Sequence, residues 1–278
     1  MCIRDRLFRR SRVIGRRFKL VHVYAGRAVT EVATFRRSAD STISDYAHSV
    51  SKSGRIIRDN VYGSLEEDAL RRDFTVNSIY YNPCSDELIC HKQALKDIRK
   101  KRLCMIGNAA QRYREDPVRM LRALRFAAKL DLELENSLSK AIFTEGKLLH
   151  DVSGARLFDE TVKLFHSGSA LRSYHLLREY GLFDVLFPST TKALNNKKKG
   201  DRYDQFLNQL FTNTDGRIAD GMSVTPAFII AGLWWLPTQQ IAKSLRHKYP
   251  PTSAMLHAIR EMVWEQRRTI SILSLIHI

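Results

Sequence analysis

The early part of the chain contains short β-branched and aromatic runs separated by polar residues. Val13-Ile14, Leu20–Tyr24 and Val29–Phe35 predict strands, with a turn at Ala25-Gly26. The polar segment Arg36–Asn60 predicts a long loop, of a kind that is often functional or disordered. Together these runs indicate a mixed β-sheet.

A helix is predicted to begin after Ser64, because Ser64 can cap its first turn and Glu67 stands at the capping-box position. Further along, Glu87–His91 and Leu103–Ile106 predict two more strands. Between them, the residues around Leu95–Asp97 predict a helical turn.

The pattern changes at residue 108, and from there to residue 272 it predicts only helices. Asp116 followed by Pro117 predicts a helix start, with Asp116 as the cap and proline at the first helical position. Leu121, Leu124 and Ala128 then repeat at helical spacing. The predicted breaks are at Gly146, Gly168, Gly181, Pro188, Gly200, Gly221 and Pro237. The predicted fold class is therefore α+β, with an all-helical second part.

The two ends of the chain, residues 1–6 and 273–278, are related in an unusual way. One choice of codons for the first six residues is ATG TGT ATA AGA GAC AG. Its reverse complement translates as Leu-Ser-Leu-Ile-His-Ile, which is the last hexapeptide. We interpret both as adapter-derived sequence rather than protein. Coincidence is the alternative. On this interpretation residues 7–272 are an internal piece of a longer protein, divided into 7–108 and 109–272.

The composition indicates a folded, strongly basic protein. Hydrophobic residues make up 44% of the chain, enough to bury a core, and the net charge is +17 with a pI of about 9.9. Such an excess of positive charge attracts polyanions, so nucleic acid is the first partner to expect. The alternative is a ribosome-associated or merely soluble basic protein.

Membrane and zinc-binding classes find no support in the sequence. No run approaches the about 20 apolar residues of a membrane span. Cys84, Cys90 and Cys104 show neither Cys-x-x-Cys pairing nor histidine partners at zinc spacing. Because nothing indicates a disulfide framework, we expect a reducing compartment and a cytoplasmic location.

One candidate binding motif lies in residues 112–122. Glu115 and Arg119 are four residues apart and should meet on one helix face, with Arg122 and Arg125 on adjacent faces. A carboxylate can accept from the exocyclic amine of adenine or cytosine, and an arginine can donate to the ring nitrogens. The remaining arginines can meet phosphates. The alternative is a salt-bridged, well-capped surface helix.

A second candidate motif lies in residues 71–78. It combines two cations, Arg71 and Arg72, with the acceptor Asp73 and the amide of Asn77, and Phe74 should be buried. This set suits a ribose hydroxyl and a triphosphate held together. The alternative is an ordinary helix end with Asp73 paired to an arginine. The presence of both motifs in this order favours nucleotide binding.

With these motifs, residues 55–130 resemble the class II nucleotidyltransferases, a family of CCA-adding enzymes and bacterial poly(A) polymerases. The segment Asp59–Asp68, ahead of residues 71–78, is part of this resemblance. Val13–Val23 and Glu31–Arg36 are similar to the poly(A) polymerase branch. The resemblance continues through Ala155–Phe158, Phe183–Pro188 and Asn213–Ile218.

The resemblance implies a truncated nucleotidyltransferase head over residues 7–108 and a helical neck and body over 109–272 that binds nucleotide and RNA. The implied activity is the addition of AMP from ATP to RNA 3′ ends, by a monomer. A CCA-adding tRNA nucleotidyltransferase and a non-catalytic RNA-binding module are the alternatives. A helical scaffold with no nucleic-acid role is a third.

The resemblance also implies roles for individual residues. It places Asp73 in the active site and Glu31 on the sheet near the catalytic carboxylates. The implied nucleotide-binding residues are Arg72, Asn77, Glu115, Asp116, Arg119 and Arg122. The expected RNA-binding residues are Arg16, Arg17 and Arg125.

The family chemistry implies two Mg²⁺ ions held by a close pair of aspartates. The family places this Asp-x-Asp, after a glycine-rich turn, ahead of the first strand seen here. The nearest imitation, Asp131–Glu135, is interpreted as a solvated acidic stretch at a helix end. We therefore expect no metal site in this chain. The chain alone should be inactive, and the parent protein should use ATP and Mg²⁺.

Overall fold

The computed structural model describes residues 8–15, 20–37, 62–90 and 93–271. The chain divides into two compact units, Met1–Lys96 and Asp97–Ile278. Short strands and helices make up the first unit, and helices dominate the second, so the predicted α+β class and helical body are confirmed. The division expected at residue 108 stays a prediction.

Three strands of the first unit form an antiparallel sheet in the order β1-β2-β3. They are β1 Ser11–Ile14, β2 Leu20–Ala25 and β3 Ala28–Val32. The turn between β2 and β3 contains Gly26 at φ +61°, a conformation that glycine adopts without strain. The three strand predictions are confirmed, although β3 ends at Val32 rather than Phe35. The predicted loop Arg36–Asn60 lies almost wholly outside the described residues.

Helix α1, Leu65–Arg71, begins with the predicted capping box. The Ser64 hydroxyl accepts from the Glu67 amide at 3.2 Å, and the Ser64 amide donates to the Glu67 carboxylate at 2.8 Å. The helix ends where Arg72 turns to extended backbone, with ψ 161°. A short 3₁₀ turn, Thr75–Asn77, follows and places Asn77 in contact with Arg72 and Asp73.

Two further pairs of strands complete the sheets. Strands β4 Ile79–Asn82 and β5 Glu87–Cys90 form an antiparallel hairpin, followed by α2 Ala94–Arg99. In the second unit, β6 Arg102–Leu103 pairs in parallel with β7 Glu133–Leu134. The described strands therefore form three small sheets. Strand β7 is an exception to the predicted run of helices, since Glu133–Leu134 pairs with β6.

The helices of the second unit follow one another with short connections. They are α3 Ala109–Glu115, α4 Val118–Lys129, α5 Asn136–Glu145, α6 Gly154–Phe165, α7 Ala170–Glu179, α8 Leu182–Leu186, α9 Pro188–Leu194, α10 Gly200–Ala219, α11 Pro226–Leu245 and α12 Pro251–Gln266. Breaks are confirmed at the predicted glycines and at Pro188. In the described part of the chain, no helix combines the length and apolarity that a membrane span requires.

The break predicted at Pro237 was wrong, because α11 continues through this proline. A proline inside a helix has no amide to donate to the carbonyl four residues earlier, here that of Leu233. Two side chains replace the missing donor. The Thr190 hydroxyl donates to the Leu233 carbonyl at 2.6 Å, and the Tyr203 hydroxyl does so at 2.5 Å. The carbonyl is thus satisfied from α9 and α10, and the helix need not end.

An aromatic cluster forms the core of the helical unit. Phe165 stacks on Phe211 with ring centroids 4.7 Å apart, and Tyr174 meets Phe183 edge to face at 5.2 Å. All four side chains are buried. Aromatic pairs in these arrangements add to the free energy of burial. The cluster joins α6, α7, α8 and α10, and so fixes the position of α6, which contributes to the candidate site.

Candidate functional site

The first motif is organised around a buried carboxylate, that of Asp68 on α1, which is 2% exposed. Arg71 donates to its Oδ1 through Nε at 2.9 Å and Nη2 at 2.5 Å. Arg72 approaches Oδ2 through Nε at 3.1 Å and Nη2 at 3.0 Å. The Tyr80 hydroxyl donates to Oδ2 at 3.0 Å, and the Arg36 amide donates to Oδ1 at 3.2 Å. Two guanidinium groups therefore share one carboxylate.

Burial alone would raise the pKa of Asp68, since it disfavours the charged form. The hydrogen bonds from Arg71, the Arg36 amide and Arg72, together with the charge of Arg71, outweigh this effect, so the pKa of Asp68 lies below its ordinary value. The carboxylate is ionised at neutral pH and offsets one of the two adjacent positive charges.

The remaining residues of this motif form a second set of contacts just after α1. Asp73 is 8% exposed, and its Oδ1 accepts from the Asn77 side-chain amide at 2.8 Å. Arg72 donates to the Asn77 carbonyl at 2.5 Å and lies over the Tyr80 ring at 4.9 Å. Phe74 is fully buried, as predicted, and anchors the turn. The structure thus brings Arg72, Asp73 and Asn77 together.

Glu31, the second residue assigned to catalysis, lies on β3 opposite His22 of β2. Its carboxylate is 3.1 Å from the His22 Nε2, and its side chain is 64% exposed. No hydrogen bond or ion pair in the described residues joins Glu31 to Asp73. The catalytic role of Glu31 stays a prediction.

The second motif lies where α3 ends and α4 begins, in the second unit. Glu115 is the last residue of α3, and its Oε2 accepts from Arg112 at 3.1 Å and from Arg119 of α4 at 2.9 Å. Arg119 also donates to the Arg112 carbonyl at 2.8 Å. The predicted contact between Glu115 and Arg119 is present, although the two residues lie on successive helices rather than on one.

The interpretation of Asp116 as a side-chain helix cap was wrong. Asp116 is extended, with φ −150° and ψ 95°, and Pro117 takes the cap position without a side-chain hydrogen bond. The Asp116 carboxylate instead accepts from Arg156 of α6, whose Nη2 is 3.1 Å from Oδ1 and 3.0 Å from Oδ2. A partner 40 residues away therefore sets the orientation of this carboxylate.

Arg122 and Arg125 lie further along α4, and both approach the ring of Phe126. The Arg125 guanidinium is 4.5 Å from the Phe126 ring centroid and that of Arg122 is 5.7 Å from it. The Arg125 side chain is 15% exposed and its Nε is 3.6 Å from Glu160 on α6. Its predicted RNA contact stays a prediction. Arg16 and Arg17, also expected to bind RNA, lie outside the described residues.

Three residues of this arrangement were missed by the sequence predictions: Asp68, Arg156 and Glu160. Asp68 had a local signal, because it precedes Arg71 and Arg72 by three and four residues at the end of a predicted helix. Arg156 had none, because it reaches Asp116 only through tertiary packing. Glu160 had a local signal only for its pair with Lys163, three residues on, and its approach to Arg125 depends on the packing of α6 near α4. The first motif belongs to the first unit and the second motif to the second unit.

A metal-binding set is not found in the described parts of the chain. There, no three His, Cys, Asp or Glu side chains gather where they could hold an ion. The carboxylates of both motifs are instead engaged by arginines or by the Asn77 amide. Asp131, in the acidic stretch nearest to an Asp-x-Asp, pairs with Lys101 at 2.8 Å and with Arg172. These residues do not fit the donor set that Mg²⁺ requires.

Comparisons with known proteins bear on both parts of the chain. A family model described as "Poly A polymerase head domain" matches residues 2–104. Another, described as "Probable RNA and SrmB- binding site of polymerase A", matches residues 131–194. The poly(A) polymerase I of Haemophilus influenzae is 42% identical over 86% of this chain and 53% of that protein. The chain thus spans about half the length of this relative.

CCA-adding enzymes are more distant relatives. That of Streptococcus uberis is 36% identical over 57% of this chain and 37% of that protein. Among solved structures, the Bacillus stearothermophilus CCA-adding enzyme in complex with CTP matches with a TM-score of 0.54 and 23% identity, over 95% of this chain and 64% of that one. This likeness shows that the two chains share the nucleotidyltransferase fold. With head and RNA-binding matches in succession and a relative this similar, the chain belongs to the poly(A) polymerase family of nucleotidyltransferases.

Proposed function

We propose that the protein to which these residues belong is a polynucleotide adenylyltransferase, which adds AMP from ATP to RNA 3′ ends. The observation that carries this proposal is the arrangement at the α3–α4 break. There Glu115 is paired with Arg119, and the adjacent Asp116 is paired with Arg156. Carboxylate acceptors and guanidinium donors thus stand side by side, held by the protein.

Such an edge matches the pairing edge of adenine or of cytosine, and the similarity to poly(A) polymerase I favours adenine. The exocyclic amine of adenine donates and its ring nitrogen accepts, so a carboxylate can take the first and an arginine can serve the second. We assign this role to Glu115, Asp116 and Arg119, with Arg122 beside them. Because the groups are fixed by ion pairs before a nucleotide arrives, little ordering would be needed on binding.

The sugar and phosphates are assigned to the first motif. The Asp73 carboxylate and Asn77 amide, 2.8 Å apart, offer an acceptor and a donor that suit ribose hydroxyls. The guanidinium of Arg72 suits the triphosphate, since arginine binds phosphate through charge-assisted hydrogen bonds. For Asp73 we propose a place next to the reacting groups. No step of the reaction is assigned to it.

A divalent ion, which we propose to be Mg²⁺, would stabilise the triphosphate and activate the RNA 3′-hydroxyl. The described residues do not fit such an ion, so their proposed roles are binding and positioning. RNA is proposed to lie along the basic helical unit, where residues 131–194 match the RNA-binding family model. Inactivity of the chain alone, a monomeric state and a cytoplasmic location stay predictions.

The test is nucleotide addition by the complete protein to a short labelled RNA, with Mg²⁺ and each nucleoside triphosphate in turn. We expect a homopolymeric A tail with ATP and little addition with CTP. Addition of two C residues and one A to a tRNA end would favour a CCA-adding enzyme. RNA binding without addition of any nucleotide would favour a non-catalytic module. RNA affinity should fall steeply with salt, because lysine and arginine contacts to phosphates release counterions.

A further inference from the structure

The two arginines of the first motif form a closely spaced pair of like charges. Arg71 and Arg72 are consecutive in sequence, and both approach the carboxylate of Asp68, one at each oxygen. Guanidinium groups this close repel each other unless an anion lies between them. The Asp68 side chain, which is 3% exposed, is that anion.

The carboxylate is itself held from two other directions. The Tyr80 hydroxyl on β4 donates to Oδ2 at 3.0 Å, and the Arg36 amide donates to Oδ1 at 3.2 Å. Asp68 therefore cannot rotate without giving up hydrogen bonds to three different segments of the chain. By contrast, the guanidinium groups that it holds lie nearer to solvent, with side-chain exposures of 28% for Arg71 and 36% for Arg72.

We propose that Asp68 is a positioning residue, which fixes the guanidinium groups of Arg71 and Arg72 as a preassembled pair for the phosphates of the nucleotide. The proposal rests on the function proposed above, in which Arg72 meets the triphosphate. Asp68 itself does not touch the nucleotide. It acts by holding two long side chains in one orientation, so that less side-chain freedom is lost when the phosphates bind.

Neutralisation is the second part of this role. Two arginines and one carboxylate leave a net charge of +1 at the surface. With Asp68 removed the charge of these side chains would be +2, which attracts phosphate more strongly at long range. The two guanidinium groups would no longer share a carboxylate, although Arg72 would still donate to the Asn77 carbonyl. The proposal requires that the lost orientation of the two guanidinium groups lowers phosphate affinity by more than the added charge raises it. A rise in phosphate affinity would contradict the proposal.

The experiment compares the binding of ATP and of adenosine to the complete protein, since adenosine lacks phosphates. The dissociation constant for adenosine divided by that for ATP measures how much the phosphates contribute to binding. For Asp68→Asn we expect this ratio to fall about ten-fold, which corresponds to the loss of one or two charge-assisted contacts. Adenosine affinity should stay the same. An unchanged or larger ratio would overturn the proposal.

Asp97→Asn is the matched control. Asp97 is also a buried aspartate, 4% exposed, and its carboxylate is 3.7 Å from Arg102, outside the motif. This variant should lower the melting temperature and leave the ratio unchanged. If its ratio falls as far as that of Asp68→Asn, the effect is one of general stability and the proposal fails.

Two further variants keep the test decisive. If Asp68→Asn does not fold, Tyr80→Phe replaces it, because this change removes a hydroxyl that contacts both Asp68 and Arg72. A smaller fall in the ratio supports the proposal, and no fall overturns it.

In an Arg71→Gln/Arg72→Gln background, Asp68→Asn should cause no additional fall in the ratio. An additional fall would show that Asp68 acts by another route.

Failure of the proposed function can be told apart from failure of this inference. If the wild-type protein adds no nucleotide to RNA, the proposed function is wrong, while the binding ratios still test Asp68. If the wild type tails RNA and Asp68→Asn has an unchanged ratio, the inference alone is wrong.

Discussion

Arg156 on α6 places one guanidinium nitrogen within hydrogen-bond distance of both carboxylate oxygens of Asp116, at 3.1 and 3.0 Å. The ion pair joins the α3–α4 break to a helix 40 residues further along the chain. The Asp116 side chain is 27% exposed and that of Arg156 is 56% exposed. A carboxylate proposed to read the base is therefore oriented by a residue outside its own motif.

Replacing Arg156 should change nucleotide selection more than stability. In Arg156→Gln, Asp116 loses its charged partner and can rotate. We expect kcat/KM for ATP to fall by about ten-fold, a loss of about 1.4 kcal/mol of transition-state stabilisation. The ATP-to-CTP preference should fall as well. Because exposed ion pairs contribute only about 0.2–1 kcal/mol, unfolding by urea should change little.

The matched control for Arg156 is Arg172→Gln, which breaks another exposed pair between an arginine and an aspartate, Asp131. We expect no change in nucleotide preference for this variant. Equal effects of the two substitutions on the ATP-to-CTP preference would contradict the role assigned to Arg156.

The buried hydroxyl of Thr190 should contribute to stability through the Leu233 carbonyl. Thr190→Val keeps the shape of the side chain but removes the donor, leaving the Tyr203 hydroxyl in place. We expect the free energy of unfolding to fall by about 1 kcal/mol, measured by urea denaturation. Thr191→Val, which removes an exposed hydrogen bond to Asp184, is the control and should lower the free energy of unfolding by less.

A proline substitution tests the reason for this cost. In Pro237→Ala, the new backbone amide can donate to the Leu233 carbonyl in the ordinary helical way. Thr190→Val should then lower the free energy of unfolding by less in the Pro237→Ala background than in the wild type. Equal costs in the two backgrounds would show that the hydroxyl does not replace the missing amide.

Cys104 should resist alkylation at neutral and mildly basic pH. Burial, followed by the charges of Asp97 and Glu135, raises the pKa of the Cys104 thiol to about 12, so almost no thiolate is present at pH 8. Cys84 is exposed and serves as the internal control. Mass spectrometry after brief iodoacetamide treatment at pH 8 should find Cys84 modified and Cys104 unmodified. Faster alkylation of Cys104 than of Cys84 would contradict the raised pKa of the Cys104 thiol.

The ion pairs of Asp131 should persist to low pH. Hydrogen bonds from Lys101 and Arg172 lower the pKa of Asp131 to about 2, below its ordinary value near 3.8. A depressed pKa means that the stabilisation is complete above the ordinary value and is lost as pH falls through about 2. Carboxyl NMR titration should show this midpoint. In Lys101→Met the midpoint should rise, and an unchanged midpoint would contradict the pairing.

Features that depend on neighbours within a helical turn or a hairpin could be predicted from the sequence. The capping box of Ser64 and Glu67 and the contact of Glu115 with Arg119 are both of this kind. The hydroxyl, amide or carboxylate that satisfies each group lies at a fixed local spacing. The same reasoning predicted the α+β class, which the structure confirms.

The sequence by itself therefore determined the family, the α+β class and the capping box of α1, while the residues proposed to bind a nucleotide stay predictions. The tertiary structure decided which partners those residues take. Asp116 appeared to be a helix cap and pairs with Arg156, while Pro237 appeared to end a helix that Thr190 and Tyr203 allow to continue. In both cases the deciding group lies at least 30 residues away in sequence from the group that it contacts. No local pattern encodes such a contact, because it exists only once the helices have packed.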